Sequence, residues 1–329
     1  MKILHICAGW QKWNGAANIA RMIIDEQRRE GHEVSFATWA KVRELRAADE
    51  VWIHCGWLPC LWWAALWGRN VRWMPEACYD PVRLRYHGWK KWLVGPIERW
   101  CLRHCAKIVA TCEAEAEWIR AYEPRVKSIE VTDIKRFFNL NPVNPVNPVK
   151  KDLHLLYLGR RHPLKGLSYL ETALATYYNK WSSAPSSLAP TTACADNPSS
   201  NPSRKAATYY NKCPIEFRVV SDAFGDELER VWDWCDVLVL PTLSENFGLV
   251  IAEALERGKC VITTDGAPAW GENLSRVERV DGGMWSGYGG RLIYLKGYRD
   301  GTPEDRVRLL KSAIENLLSR ASLTPPAAK

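Results

Sequence analysis

The sequence predicts an α/β protein built from two doubly wound, Rossmann-like domains facing a cleft, and three observations carry that reading. Short apolar runs alternate with helical segments through the first half, the pattern of a mostly parallel sheet wrapped by helices. The same alternation restarts after residue 150. Between the halves lies NPVNPVNPV, Asn141 to Val149, whose repeated prolines extend neither a ladder nor a helix and read as a stiff connector. A chain of 329 residues, 47% of them apolar, is long enough for two buried cores.

Taken in order, KILHICAG reads as a strand, AANIARMIIDEQRREG as a helix stopped by Gly31, EVSFATW and EVWIHCGW as strands, and NVRWMP as another. Helix is expected from about Gly95 to Arg120, interrupted by the strand-like AKIVATC, with IEVTD following. These elements make an N-terminal domain, 1–140. Beyond the linker 141–149, LHLLYLGR, IEFRVVS, DVLVLPT and CVITTDG read as strands, separated by the helical KGLSYLETAL, DELERVWDWC and FGLVIAEALERG, in a second domain 150–301. A Ser- and Pro-rich stretch from Ser182 to Ala206 lies between two copies of ATYYNK and reads as a disordered insertion, 181–206. Thr302 can cap a last helix, 302–320, with Pro303 at its first position; Val307, Leu310, Ile314 and Leu317 form its apolar stripe. That helix is expected to pack back across the interdomain seam, leaving a tail, 321–329.

Composition excludes several classes. The 45 Lys and Arg against 37 Asp and Glu leave a formal charge of +8, which favours anionic partners without naming one. The longest apolar stretch, Cys55 to Gly68, is 14 residues and contains Pro59, short of the roughly 20 that a membrane-spanning helix needs. The opening MKILHICAGW has no small-x-small cleavage site before QKWNG and reads as a first strand, not a secretion signal. Eleven cysteines, with no Cys-x-x-Cys pair, argue against a disulfide framework and a zinc ribbon and suit a cytoplasmic chain. Cys101 and Cys105, with His104 between, are the nearest approach to ligand spacing, and no second pair completes a metal site, so none is expected. The 18 Trp against 6 Phe imply that many tryptophans lie at the surface or line clefts.

The chemistry concentrates in PTLSENFGLVIAE, Pro241 to Glu253, directly after the buried strand DVLVL. A strand's carboxyl end feeding a helix amino terminus is where α/β sheets bind anionic ligands, through free backbone amides and the helix dipole. Asn246, Phe247, Gly248 and Leu249 would supply those amides. Glu245 lies in the turn, and Glu253 follows about two turns into an apolar helix, where a carboxylate needs donors such as sugar hydroxyls. A capping acid and a salt-bridged helix residue are the plainer account of the same pair.

The run PTLSENFGLVIAEALERGKCVITTDGAP resembles the signature of the large retaining glycosyltransferase family 4, of GT-B fold, and in particular its members that build bacterial envelope glycans. In that family two glutamates separated by seven residues follow a strand end. A companion motif precedes it by about eighty residues: LLYLGR and RHPLKG match the family's Gly-Arg, four residues, Lys-Gly. The resemblance covers most of residues 150 to 275. It implies that Arg160 and Lys165 grip a donor diphosphate, where fixed cations offset charge growing on the leaving nucleotide; Arg161 is the alternative to Arg160. It further implies that Glu253 holds ribose hydroxyls and Glu245 contacts the donor sugar. No cofactor or metal is then needed beyond a UDP- or GDP-linked sugar as co-substrate. In the first half, Asn14 and Gly15 occupy the loop where that family approaches donor phosphate and acceptor by backbone. Glu76 stands about where many members carry a histidine, with Tyr79, Asp80 and His87 as further acceptor-side candidates.

RLRYHGWKKWLVGPIERWCLRHCAK, Arg83 to Lys107, holds seven Lys and Arg, three Trp and one acid. Cations interleaved with Trp suit an anionic membrane face, as well as a solvated helix with inward tryptophans. The expectation is a cytoplasmic enzyme, peripheral on the inner face of the cell membrane, that moves a hexose-type sugar from a nucleotide sugar to a glycan or lipid-linked acceptor in polysaccharide or lipopolysaccharide synthesis. No nucleic acid is expected as partner. A nucleotide-sugar epimerase or phosphorylase on the same scaffold competes with it, as does a non-catalytic, Trp-rich protein binding membranes or nucleic acid.

Overall fold

A computed structural model describes residues 1–7, 15–54, 59–140, 153–181, 215–221, 223–271, 274, 284–288 and 291–323. The linker 141–149, nearly all of the insertion and Asn14 lie outside them. The chain divides into two compact units. The first comprises Met1–Leu140 with Ser244–Ala252 and Ala267–Asn273, and the second Asn141–Leu243, Glu253–Gly266 and Leu274–Lys329.

In the first unit β1 (Lys2–Cys7), β2 (Glu33–Ala37), β3 (Glu50–His54), β4 (Val71–Met74), β5 (Lys107–Ala110) and β6 (Ile129–Val131) form one sheet in the order β2-β1-β3-β4-β5-β6. Every pair in it is parallel. Strand order reverses between β1 and β3, so the carboxyl ends of these strands, Cys7 and His54, flank the topological switch point. Among the described residues, five helices cover the sheet: α1 (Gly15–Arg29), α2 (Val42–Ala47), α3 (Pro59–Trp67), α4 (Pro81–His104) and α5 (Glu113–Tyr122). The core joins Leu4, Ile6, Val51, Ile53, Trp73, Ile108 and Ala110 of the strands to Leu61, Leu102 and Ile119 of the helices.

Helix α4 begins at Pro81, fourteen residues before the expected start near Gly95. Asp80 is the reason: its carboxylate accepts the Val82 amide at 2.8 Å, and Pro81, with no amide to satisfy, takes the first helical position. Pro96 sits inside the same helix without ending it. The apolar stretch around Pro59 becomes α3.

In the second unit β7 (Leu153–Leu158), β8 (Ile215–Val220), β9 (Val237–Leu240), β10 (Cys260–Thr264), β11 (Met284–Gly287) and β12 (Leu292–Leu295) form a sheet in the order β11-β12-β10-β9-β7-β8. Only β11, at the edge, runs antiparallel to its neighbour. Here the switch point falls between β7 and β9. The helices are α6 (Leu167–Trp181), α7 (Asp226–Trp234), α8 (Leu249–Glu256, which both units share) and α9 (Pro303–Leu323). Thr302 and Asp305 cap α9 reciprocally: Thr302 Oγ1 accepts the Asp305 amide at 3.2 Å, and the Asp305 carboxylate accepts the Thr302 amide at 3.2 Å. Leu310, Ile314 and Leu317 are buried in the second unit's own core with Leu170 and Leu174 of α6, because that face is as apolar as the helix it meets.

Trp73, Trp232 and Trp270 are fully buried, whereas Trp39, Trp62, Trp67, Trp89 and Trp92 are exposed. Cys101 and Cys105 lie in the first core, where burial pushes both thiols up, that of Cys101 to about 12. Among the described residues no group of three or more His, Cys, Asp or Glu side chains comes together, and no helix is long and apolar enough to cross a membrane.

Candidate active site

The two sequence motifs meet at the switch point of the second unit. After β7 the chain runs through Gly159, Arg160, Arg161 and His162 into a 3-10 turn, Pro163–Lys165, and Gly166 ends that turn in the left-handed region at φ +67°. This loop lies directly on the strand end after β9. The Leu243 amide donates to the Leu164 carbonyl at 2.8 Å and Thr242 Oγ1 donates to the same carbonyl at 3.1 Å. A Cβ on Gly166 would stand 1.9 Å from the Pro241 carbonyl oxygen, so only glycine allows this approach. From the other side Gly266 closes on Thr242, with a hypothetical Cβ 2.1 Å from its carbonyl oxygen. Three loops, after β7, β9 and β10, are thereby locked together backbone to backbone.

That lock places two of the predicted cations. Arg160 is exposed; its carbonyl, accepting Tyr157 Oη at 2.9 Å, pins the backbone at this point. Arg161 is exposed as well, and its guanidinium lies 3.9 Å from Glu171 of α6. Lys165 is half-buried on the turn fixed by Gly166. Glu253 is half-buried on α8, and burial raises its carboxyl above the usual range, against the pull of Arg257 and with Glu256 and Glu229 adding to the rise. Arg257 itself bonds Glu229 at 2.7 Å, which leaves the Glu253 carboxylate without a hydrogen-bond partner among the described residues.

In the first unit, the segment that carries Glu245 to Leu249 is held by side chains. Ser244 Oγ donates to Asp80 at 2.5 Å and accepts Arg83 Nε at 2.9 Å. Thr111 Oγ1 donates to Asn246 Oδ1 at 2.9 Å, and Trp270 Nε1 donates to the Phe247 carbonyl at 2.5 Å. The Phe247 ring is buried between Phe138 and Trp270, so this residue anchors the loop by its side chain and can offer a ligand only its backbone. Gly248, at φ +74°, lets the chain turn into α8 close to Glu245, whose Cγ would lie 3.2 Å from a Cβ there. Glu245 is half-buried and accepts the Asn246 amide at 3.2 Å. Gly15 opens α1 beside Leu249, 4.0 Å from a hypothetical Cβ, which is ordinary packing; no close protein approach demands glycine there.

The acceptor-side candidates divide. Tyr79 is corrected to a core residue: its ring packs on Trp73 and Tyr122, and burial raises its phenol well above the ordinary value. Asp80, fully buried, caps α4 and ties Ser244, so its carboxylate is spent on structure. The side chain of His87, like all of Asn14, lies outside the described residues. Glu76 remains. It is 8% exposed and follows the end of β4 with its backbone in the left-handed region, as does Ala77 (φ +57° and +59°). Glu115 holds this turn: its buried carboxylate accepts the Ala77 amide at 2.6 Å and the Thr111 amide at 2.7 Å.

Sequence reasoning missed Glu115, and it missed His5 of β1, His54 of β3 and Gln27 of α1, which are joined by hydrogen bonds. The available signal was a histidine in each of two apolar strands, KILHIC and EVWIH.

The basic stretch is narrower than expected. Arg83 turns to Ser244, Arg99 donates to the Tyr122 carbonyl, Arg103 pairs with Glu123 and Lys107 with Glu130. Among the described side chains of this stretch, Arg85, Tyr86, Trp89, Trp92 and Leu93 face outward, with Trp89 68% and Trp92 80% exposed.

Comparison with known proteins adds the following. A family model described as Glycosyl transferases group 1 matches residues 152–281, and one described as Glycosyl transferase 4-like domain matches residues 39–132. Together they span well over half of the chain. No curated protein matches it. Solved structures share the fold at low identity. HepE from Anabaena, in complex with UDP and glucose, is 16% identical with a TM-score of 0.55, over 98% of this chain and 93% of its own. Sucrose-phosphate synthase from Thermosynechococcus elongatus is 12% identical at 0.57, over 98% and 94%. WaaG, a glycosyltransferase involved in lipopolysaccharide biosynthesis, is 11% identical at 0.50, over 98% and 93%.

Proposed function

The chain belongs to the GT-B glycosyltransferases of the family 4 type, and from that premise we propose that it transfers a hexose-type sugar from a nucleotide sugar to a hydroxyl of a glycan or lipid-linked acceptor, with retention of configuration. The observation that carries the proposal is the locked junction of the Arg160–Gly166 loop with the Pro241–Leu243 strand end at the switch point of the second unit. A rigid backbone presents Arg160 and Lys165 where a diphosphate is expected in a doubly wound sheet, and fixed cations stabilise a leaving group without reorganising. Glu253, raised by burial and lacking a partner among the described residues, suits a hydroxyl-rich ligand such as ribose. Glu245 and the backbone from Asn246 to Leu249 take the sugar, and Gly15 adds backbone at the start of α1.

In the transfer the acceptor oxygen bonds to the anomeric carbon as the bond from that carbon to the phosphate oxygen breaks. The acceptor's proton leaves on the departing phosphate, so no side-chain nucleophile is required. UDP-linked sugars are the first donors to test, because HepE was solved with UDP and with UDP-glucose. The outward Trp89, Trp92 and Leu93 support a peripheral site on an anionic membrane, and with it an envelope-glycan acceptor.

The test is a thermal-shift panel with UDP-, GDP- and ADP-sugars on the wild type and Lys165→Ala. A ligand at a hundredfold excess over its Kd stabilises the folded state by about 2.7 kcal/mol. One nucleotide class should raise the melting temperature of the wild type and leave the variant unmoved. A shift equal in both would refute the role of Lys165.

A further inference from the structure

Helix α3 of the first unit is apolar all round, yet only one side of it is buried. Its sequence, PCLWWAALW, holds no charged residue, and a helix of that kind belongs in a core or against lipid. Leu61 and Ala64 meet the first expectation, joining the core with Val51, Ile53 and Val71. Trp62 and Leu66, four residues apart and so on one face, do not: both are exposed, Leu66 to 59%, and Trp67 is exposed beside them.

Neighbouring segments extend this surface. Trp39, between β2 and α2, is exposed and stacks on Trp63 with 6.2 Å between ring centres. Trp63 and Trp67 meet edge to face at 6.0 Å, and the Arg46 guanidinium of α2 lies over the Trp67 ring at 4.9 Å. Arg43 on α2 and Arg69, two residues beyond the end of α3, are exposed and make no ion pair among the described residues. The acids of the flanking segments are engaged. Glu44 accepts the Lys41 amide at 2.7 Å, Asp49 accepts the Lys2 amide at 2.7 Å, and Glu50 pairs with Arg72 at 2.8 Å. The result is an aromatic and aliphatic surface with a cationic rim.

Single apolar side chains on a surface need no explanation, whereas a contiguous set marks an interaction site. Charge and ring geometry decide among partners. A second copy meeting this face about a two-fold axis would set Arg43, Arg46 and Arg69 against the same three cations, on a chain that already carries +8. A pyranose stacks on open ring faces, but Trp39 covers Trp63 and Arg46 covers one face of Trp67. An anionic bilayer suits every component: indole rings settle at headgroup level, a leucine enters the acyl boundary, and arginines meet lipid phosphates. The 14-residue apolar stretch that contains α3 is too short to span a membrane, and a stretch of that length outside the core fits an interfacial segment.

We propose that the outer face of α3, with Trp39 and the rim arginines Arg43, Arg46 and Arg69, is a docking surface for anionic lipid, distinct from the outward residues of α4. Its place in the fold gives the surface a use. Helix α3 follows β3 after four residues, and β3 ends with His54 at the switch point of the first unit, so the start of the docked helix is at most about 18 Å of chain from that strand end. On the glycosyl-transfer reading this brings the acceptor side of the first unit to a lipid-linked acceptor. The docking itself does not depend on that reading.

The test uses the full chain and sedimented vesicles of phosphatidylcholine, with and without about one-third phosphatidylglycerol. Trp62→Ser combined with Leu66→Ser should weaken partition onto the anionic vesicles about tenfold, and Trp62→Phe with Leu66→Met should restore it. Arg43→Gln with Arg69→Gln should weaken partition on the order of tenfold on the anionic vesicles alone. In the wild type, where no substitution can disturb folding, anionic vesicles should slow hydrogen exchange across residues 59–70. Partition that the serine pair leaves unchanged, or exchange over 59–70 that ignores the vesicles, overturns the proposal. So does a dimer in sedimentation velocity that the serine pair abolishes, since a second copy would then cover the face. The nucleotide-sugar melting shift separates this inference from the transfer reading: its absence from the wild type strikes the transfer reading and leaves the vesicle result standing, whereas a shift kept by a serine pair that still binds vesicles strikes only the docking surface.

Discussion

Replacing Gly166 by Ala tests whether the junction of the two motifs is a rigid lock. The added Cβ would lie 1.9 Å from the Pro241 carbonyl oxygen, 3.0 Å from its carbon and 3.3 Å from Tyr298 Oη, and φ is +67°. The left-handed conformation alone costs an alanine roughly 1–2 kcal/mol. The contact cannot be relieved by a rotamer, because the opposing atoms are backbone, and such overpacking costs typically about 1–3 kcal/mol more. The sum is on the order of 2–5 kcal/mol. Gly297, in the same unit at φ +80° with nothing within 4 Å of its hypothetical Cβ, supplies the control: Gly297→Ala incurs only the conformational term. Urea unfolding followed by tryptophan fluorescence should place Gly166→Ala below Gly297→Ala by about 1–3 kcal/mol. The displaced loop should also weaken any nucleotide-sugar shift carried by Lys165, while Gly297→Ala keeps it. Equal stabilities for the two variants would refute the lock.

Other consequences can be measured in parallel. Asp80→Ala removes both the cap of α4 and the acceptor of Ser244, and should lower the unfolding free energy by roughly 2–4 kcal/mol in denaturant titrations; a loss under 1 kcal/mol would contradict the structural role assigned to Asp80. The depressed His5 has a defined sign. Its folded value of about 4 lies below the ordinary 6.5, so the unfolded chain binds the extra proton first and stability falls as pH drops through that window. The fall attributable to His5 is on the order of 3 kcal/mol, and His5→Asn should flatten the stability profile between pH 6.5 and 4. Trp92→Ser should reduce binding to anionic vesicles, roughly tenfold if the ring inserts at headgroup depth, with little effect on unfolding because the side chain is 80% exposed. Vesicle binding that is unchanged would remove that face from the membrane proposal.

How far the sequence reaches is visible in particular residues. The β7 strand, the turn that ends at Gly166, the β9 strand and the start of α8 were legible because each is a local signal: a run of apolar residues, or a glycine or proline that stops it. The reading strained where a local signal had two uses. Tyr79 and Asp80 were polar residues after a strand end, which is equally the composition of a binding loop and of a helix cap. Asp80 proved to be the cap, moving the start of α4 back from Gly95 to Pro81. Arg83, Arg99, Arg103 and Lys107 read as surface charge, and each is committed to a neighbour brought to it by the fold.

The sequence alone determined the class of protein, the two alternating halves and the positions of its motifs, because strand and helix formation and motif spacing are properties of contiguous residues. Tertiary structure decided which distant groups meet. His5 and His54 are 49 residues apart and become neighbours only because β1 and β3 pair in parallel at the switch point. Ser244 reaches Asp80 across 164 residues, and Gly166 needs its bare Cα only because Pro241 arrives against it. The physical reason is common to all three. A parallel sheet orders its strands by crossover and hydrogen-bond register, and the side chains at their carboxyl ends acquire partners, charge state and strain from that order.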